Sequence, residues 1–386
     1  MQITDIEALH LRGPEPADYP HPVASFVQDG FAVLRVMTDE GITGVGEPSP
    51  YVAPHDVELA VMKALKPRFL GEDPFDVRSL TRPGVPRDRD WRCEASGHAA
   101  VAGFSHALWD IVGKAVGKPV WQLLNPSLSR SPRIEAYASG GMIFEWEDDA
   151  LVVDEAVRAK EAGYRSFKLR PALPARASHQ QRSRTPPPID MPRLLRLLTA
   201  VRTRVDPMHV MVDAGCRLAS GREAARLIAA MADLGCTLLE EPLPRVMADY
   251  ASLARVSPVS IAGGESLATA GDFEAWIDAG SYDVIQPDGN LAGIPEVAAI
   301  AEMAWAKGVP IVMHNWANDV SIAANVHLGA ALAACDLVES NVTLNPLRER
   351  LVNRPYVVTE GWFELRDEPG LGIELNEDVV QHYRVN

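Results

Sequence analysis

The sequence predicts an α/β protein: a parallel strand–helix barrel preceded by a small α+β domain. Three observations carry this. After Pro132, eight short apolar runs alternate with helical stretches. Before it, strand-like alternation gives way once to helical periodicity. The 386 residues hold one barrel of roughly 250 residues with an appendage to spare. The competing architecture, a doubly wound open sheet, wants a Gly-rich phosphate turn after its first strand. Neither GxGxxG nor a Walker loop stands in such a place, and Gly263-Gly264 is a lone pair.

Element by element, Ile3 to Leu11 and Phe31 to Met37 carry apolar residues at near period two. Thr38-Asp39-Glu40-Gly41 then makes a turn before Ile42 to Glu47, so a three-strand meander is expected. From Val57 to about Leu124 the period becomes helical, as in the run beginning Val57-Glu58-Leu59-Ala60-Val61. Residues 1–130 are thus read as an α+β domain.

The barrel strands are expected at Arg133 to Ala138, Ser166 to Leu169, His209 to Val212, Thr237 to Leu239, Val259 to Ala262, Tyr282 to Ile285, Val309 to Met313 and Asp336 to Val338. Ala224 to Leu234 and Pro295 to Lys307 are among the helices between them, and Val320 to Cys335 reads as a buried helix. These fill residues 131–354. Pro171 to Asp190 breaks the rhythm: it is Pro- and Arg-rich, and a surface loop is the plain reading. Its position after the second barrel strand also allows a lid over an anionic substrate, using Arg176, Arg182 or Arg184. Residues 355–386 return to short strands and turns and are expected to pack back on the first domain.

Composition limits the function. Hydrophobic residues make up 47% and charged residues 23%, an ordinary globular mixture. The charge sum, 37 − 52 = −15, argues against nucleic acid or an anionic membrane as partner. Four scattered cysteines without a CxxC pair suit reduced thiols. The start has no basic, apolar leader. A cytoplasmic protein acting on a small molecule is the expectation.

The chemistry lies where the apolar runs end. The third ends at Asp213, the fourth at Glu240 and Glu241, and the fifth at Glu265. Three consecutive strands therefore deliver a carboxylate to one rim. Single acidic residues at strand ends are often helix caps, but three close carboxylates repel one another unless a cation sits among them. Oxygen-only ligands favour Mg²⁺ over zinc. Lys168 and Arg170 on the second strand share a face and suit a substrate carboxylate. The sixth strand ends at Asp288 and the seventh at His314. Neighbouring strands would let the aspartate fix the imidazole tautomer and make it a better base. The eighth strand is expected to end at Glu339, a hydrogen-bond partner or acid.

This ordered set resembles the mandelate racemase/muconate lactonising enzyme branch of the enolase superfamily. Supporting stretches are Ala107-Leu108-Trp109-Asp110 through Val120, the Lys168-x-Arg170 strand, Val212-Asp213-Ala214-Gly215, Leu239-Glu240-Glu241-Pro242-Leu243, Gly264-Glu265-Ser266, Gln286-Pro287-Asp288 and His314. The resemblance implies a modified TIM barrel, (β/α)7β, under an α+β capping domain built from both termini. It implies that Asp213, Glu240 and Glu265 bind Mg²⁺, with Glu241 behind them. It also implies homo-oligomers and chemistry that begins by removing the proton α to a carboxylate.

Two departures bear on the reaction. Racemases of this branch carry a second lysine where this chain has Arg170, which stays protonated and makes a poor base. A one-base reaction by His314 with Asp288 is therefore expected: dehydration of a sugar acid, an aldonate or aldarate, to a 2-keto-3-deoxy acid. Gly215 stands where relatives commonly carry asparagine. The alternatives are a cycloisomerase or epimerase acting on a related hydroxy acid or lactone, and a non-catalytic enolase-like scaffold. Capping loops set specificity in this branch, which makes His21 and Tyr51 candidate substrate contacts, with ordinary loop residues as the competing reading.

Overall fold

The computed structural model describes residues 1–13, 30–76, 95–128, 132–141, 149–171, 189–343, 345 and 347–385. The chain opens with the antiparallel meander β1 (Ile3–Leu11), β2 (Phe31–Thr38) and β3 (Thr43–Gly46). Helices α1 (Pro54–Ala60) and α2 (Lys66–Phe69) follow, joined by a π-helical turn, and then the long α3 (Ala95–Val116) and the short α4 (Val120–Leu124). The sheet lies directly on α3. A Cβ on Gly44 or Gly46 would run into the Ala107 and Gly103 carbonyls, so only glycine admits this approach.

Eight parallel strands form the barrel: β4 (Arg133–Gly140), β5 (Ser166–Leu169), β6 (His209–Asp213), β7 (Leu238–Glu240), β8 (Ser260–Gly263), β9 (Val284–Ile285), β10 (Ile311–Met313) and β11 (Cys335–Asn341). They pair in chain order, and β11 closes on β4 through Leu337↔Glu135 to Asn341↔Ser139. The helices between them are α5 (Asp149–Glu161), α6 (Met191–Val205), α7 (Gly221–Asp233), α8 (Met247–Ala254), α9 (Ala270–Asp278), α10 (Gly289–Ala292), α11 (Ile294–Lys307) and α12 (Asp319–Ala331). The predicted helix from Val320 to Cys335 is shorter, because Cys335 already belongs to the strand that seals the barrel. For the same reason the last strand does not end at Glu339. It runs on to Asn341, and Glu339 lies inside it, opposite Tyr137.

Strand alternation sorts the barrel's side chains. Tyr137, Met211, Leu238, Ala262, Val284 and Val312 form a separate buried cluster with Leu337 against it, which fills the barrel axis. Two residues further on, the same face presents Asp213, Glu240, Gln286, His314 and Glu339. A period of two thus stacks a polar layer on an apolar one at the C-terminal rim.

The tail divides between the two halves of the molecule. Its hairpin, β12 (Val358–Thr359) and β13 (Trp362–Glu364), adds antiparallel to β4 and so extends the barrel sheet. Beyond it, α13 (Glu377–Tyr383) returns to the meander, where the Arg12 amide donates to the Tyr383 carbonyl at 2.9 Å and Arg35 pairs with Glu377 at 2.6 Å. Among the described residues, no helix is long and apolar enough to cross a membrane.

Candidate active site

The rim residues stand on, or just beyond, the seven strands β5 to β11 and are cross-linked by charge. Lys168, on β5, is fully buried. Its Nζ lies 2.6 Å from Glu240 Oε2 and 2.8 Å from Glu339 Oε1, and donates to the Tyr137 hydroxyl at 3.2 Å. Burial works against the ammonium charge, but the two carboxylates outweigh it and hold the lysine above its ordinary pKa. Glu240 is pushed up by its own burial, against the pull of Lys168, while Asp213, Glu265 and Glu339 push the same way as burial. Glu339 is drawn down because Lys168 and His314 outweigh its burial.

Asp213 and Glu240 are paired in register on β6 and β7. Asp213 Oδ2 lies 3.1 Å from Arg170 Nε, and its Oδ1 accepts from the Gly215 amide at 2.8 Å. The Arg170 guanidinium sits over the Trp316 ring at 5.5 Å. Glu265, two residues past β8, lies 3.2 Å from His314 Nε2 and 3.5 Å from Arg245 Nη2.

His314, just past β10, places Nδ1 3.1 Å from Asp288 Oδ2. The other Asp288 oxygen accepts from the Asn290 amide at 2.7 Å, capping α10 and fixing the carboxylate's direction. Burial lowers the histidine's pKa, but the Asp288 hydrogen bond and the charges of Asp288, Glu339 and Glu265 overcome it and raise it to about 10.

Each of the three predicted metal ligands is therefore held by a basic group of the protein: Asp213 by Arg170, Glu240 by Lys168, and Glu265 by His314 and Arg245. Among the described residues, no three His, Cys, Asp or Glu side chains gather as a set that could hold a metal ion. One feature nevertheless fits a hard cation. Glu240 Oε1 is buried without a hydrogen-bond partner, although Lys168 and Gln286 both sit on Oε2, at 2.6 Å each. With Asp213 paired in register and Glu265 acting on it electrostatically, this orphaned oxygen belongs to a set of oxygen donors alone.

Glu241 points elsewhere. Its Oε2 accepts from Arg245 Nε, the Tyr250 hydroxyl and Cys216 Sγ, each at 3.0 Å, and its Oε1 from the Gly264 amide, also at 3.0 Å. This cluster braces the loop that carries Glu265. The Tyr51 ring lies 6.5 Å from that of His314. His21 lies outside the described residues, as do Arg176, Arg182 and Arg184.

Sequence reasoning missed several members of the site. Gln286 sits in the Gln-Pro-Asp stretch, and its inward position follows from Val284 by alternation. Tyr137 can be reached by the same count from the first barrel strand. Arg245 and Trp316 gave no local signal, because only packing brings them to Glu265 and Arg170. Glu47 of the first domain was also unread. It is fully buried and accepts from the Asn318 amide (3.0 Å), Asn318 Nδ2 (2.8 Å) and the Ser321 amide (3.0 Å), at the start of α12.

Comparison with known proteins agrees with this architecture. A family model described as enolase C-terminal domain-like matches residues 151–379. Another, for the mandelate racemase / muconate lactonizing enzyme N-terminal domain, matches residues 8–125. The arabinonate dehydratase of Saccharolobus solfataricus is 28% identical, over 98% of this chain and 94% of its own. The D-galactarolactone cycloisomerase of Agrobacterium fabrum is 29% identical, over 95% of each chain. The crystal structure of the 3,6-anhydro-D-galactonate cycloisomerase from Zobellia galactanivorans superposes with a TM-score of 0.84, at 25% identity and full coverage of both chains.

Proposed function

Since this chain belongs to the mandelate racemase/muconate lactonizing enzyme branch of the enolase superfamily, we propose that it dehydrates a sugar acid. The substrate would be an aldonate or aldarate and the product a 2-keto-3-deoxy acid. The observation that carries this reading is the base set. His314 is oriented by Asp288 at 3.1 Å, whereas the position that would supply a second base is Arg170, tied to Asp213 at 3.1 Å. A guanidinium does not give up its proton at physiological pH, so one base serves one face.

Asp213, Glu240 and Glu265 would hold Mg²⁺, and Glu240 Oε1 supports this as the oxygen left without a partner. Bound there, the ion supplies Lewis-acid stabilisation of the charge that builds on the substrate carboxylate. The protein's own groups do the rest. Lys168 offers its ammonium to the carboxylate oxygens as they gain charge. The carboxylates of Asp288, Glu339 and Glu265 hold the ring protonated; in its neutral form, with Nδ1–H engaged by Asp288, Nε2 is the atom that would take the α-proton. The same proton is then delivered to the departing β-hydroxyl, which leaves as water, and the resulting enol tautomerises to the keto acid. Tyr51, its ring 6.5 Å from that of His314, would contact the substrate from the capping side.

Cycloisomerisation of a sugar lactone is the second reading. It is favoured by the two cycloisomerases among the relatives, one of them matched along its full length. Incubation with Mg²⁺ and a panel of aldonic acids, aldaric acids and aldarolactones separates the two. Accumulation of 2-keto-3-deoxy acid from an open-chain acid, lighter than it by one water, supports dehydration. Ring-opened or isomerised product of unchanged mass supports the rival. Silence across the panel, with no exchange of α-protons for solvent deuterium, removes both.

A further inference from the structure

Asp288 and His314 stand at the ends of two strands that the barrel ladder holds only briefly. β9 is two residues long, the shortest of the eight, and is in register with β10 through Ile285 and Ile311. Pro287 follows it and has no N–H to add to the ladder. Beyond Ile311, the His314 amide donates to the Pro287 carbonyl at 3.2 Å. So short a ladder does little to fix how far apart the two strand ends lie, yet Nδ1 and Oδ2 are within hydrogen-bond distance.

Asn325, on α12, is fully buried and joins the two ends by its side chain. Its Oδ1 accepts from the amide of Gly289, the residue after Asp288, at 3.1 Å. Its Nδ2 donates at 3.0 Å to Oδ1 of Asn315, the residue after His314. Asn315 in turn donates from Nδ2 to the Glu339 carbonyl at 3.1 Å and from its own amide to Glu339 Oε2 at 3.0 Å. The two ends of this chain are backbone groups of fixed sense: the Gly289 amide only donates and the Glu339 carbonyl only accepts. Each side-chain amide between them therefore has one orientation. Position 289 is shaped for the contact as well. A Cβ there would collide with Asn325 Oδ1, although the backbone is not in the left-handed region. Glycine at this place serves close approach rather than an unusual φ.

We propose that Asn325 is a positioning residue for proton transfer: one buried amide ties the residue after Asp288 to the residue after His314 and so sets the spacing of that pair. The inference rests on the base assignment made above, but its first test reads geometry alone. Asn325→Leu is similar in size and removes both donor and acceptor. In crystals of the Mg²⁺-loaded variant, the separation of His314 Nδ1 from Asp288 Oδ2 should open beyond about 3.5 Å, outside hydrogen-bond reach. On the substrate found by the panel, kcat should fall about 10–100-fold with KM within about two-fold of the parent. Gly289→Ala pushes Oδ1 off the amide with Asn325 still in place. It should act alike, and it keeps the test open if the leucine variant folds poorly. In an Asp288→Asn background, where the hold on Nδ1 is already weakened, Asn325→Leu should cost less than about three-fold more. Unchanged spacing in the variants, near-parental kcat, or full additivity with Asp288→Asn would each overturn the proposal. So would a fall in stability alone, which marks Asn325 as a packing residue. If the parent turns over nothing in the panel, the reaction assigned above falls, and the spacing in the variant crystals still decides for or against Asn325.

Discussion

His314 and Asp288 face each other across the ends of adjacent strands, with Nδ1 3.1 Å from Oδ2, and the aspartate is itself pinned by the amide at the start of α10. The imidazole is thereby given one tautomer and one direction. Replacing His314 by Asn removes the atom that takes the proton, and turnover should fall by about 10²–10⁴-fold. Far-ultraviolet circular dichroism should be unchanged. Near-parental activity on the substrate found by panel screening would sink the base assignment.

Asp288→Asn keeps the cap on α10 but weakens the hold on Nδ1. The expected loss is smaller, about 10–100-fold in kcat, with KM little changed. A rise in KM alone would place Asp288 in binding instead.

Metal removal tests the rim. Dialysis against a chelator should abolish turnover and Mg²⁺ should restore it. Glu240→Gln leaves Lys168 without one of its two counter-charges and removes a charged oxygen from the donor set. It should raise the Mg²⁺ concentration needed for half-maximal activity by at least ten-fold. Calorimetric Mg²⁺ binding identical in parent and variant would contradict the ligand assignment.

Glu241 accepts from Arg245, Tyr250, Cys216 and the Gly264 amide in a buried cluster. Truncation to Ala leaves the buried Gly264 amide without its acceptor and takes one acceptor from the Tyr250 hydroxyl, at a cost of roughly 1–3 kcal/mol. Urea denaturation measures this directly, and a loss under about 1 kcal/mol would show that the cluster relaxes around the gap.

Glu47 makes stability depend on pH. Its burial between the two halves raises its pKa from 4.5 to about 7, against the three hydrogen bonds it accepts. The folded chain therefore holds a proton that the unfolded chain has released between those values, and stability falls as pH rises through that window. The full shift corresponds to roughly 3 kcal/mol. Glu47→Gln lacks this dependence, so the stability difference between parent and variant should move against the parent from pH 4.5 to 7. A constant difference across that range would show that Glu47 titrates normally.

Much of this protein is written locally. Periodicity alone located the meander and all eight barrel strands, because a strand buried on both faces reads as a short apolar run wherever it occurs. The order of Lys168, Asp213, Glu240, Glu265, Asp288, His314 and Glu339 along the chain placed one polar residue after another at a single rim, since every parallel strand ends on the same side. What the sequence could not contain was the pairing among them. That Lys168 bridges Glu240 and Glu339, that Arg170 rather than a neighbouring carboxylate lies on Asp213, and that Arg245 and Trp316 belong to the site are consequences of barrel closure. Closure also carried β11 past Glu339 and drew the β12–β13 hairpin onto β4. Such contacts join residues tens to hundreds of positions apart, and their geometry is set by strand stagger and helix packing summed around the whole ring, which no local run of residues encodes.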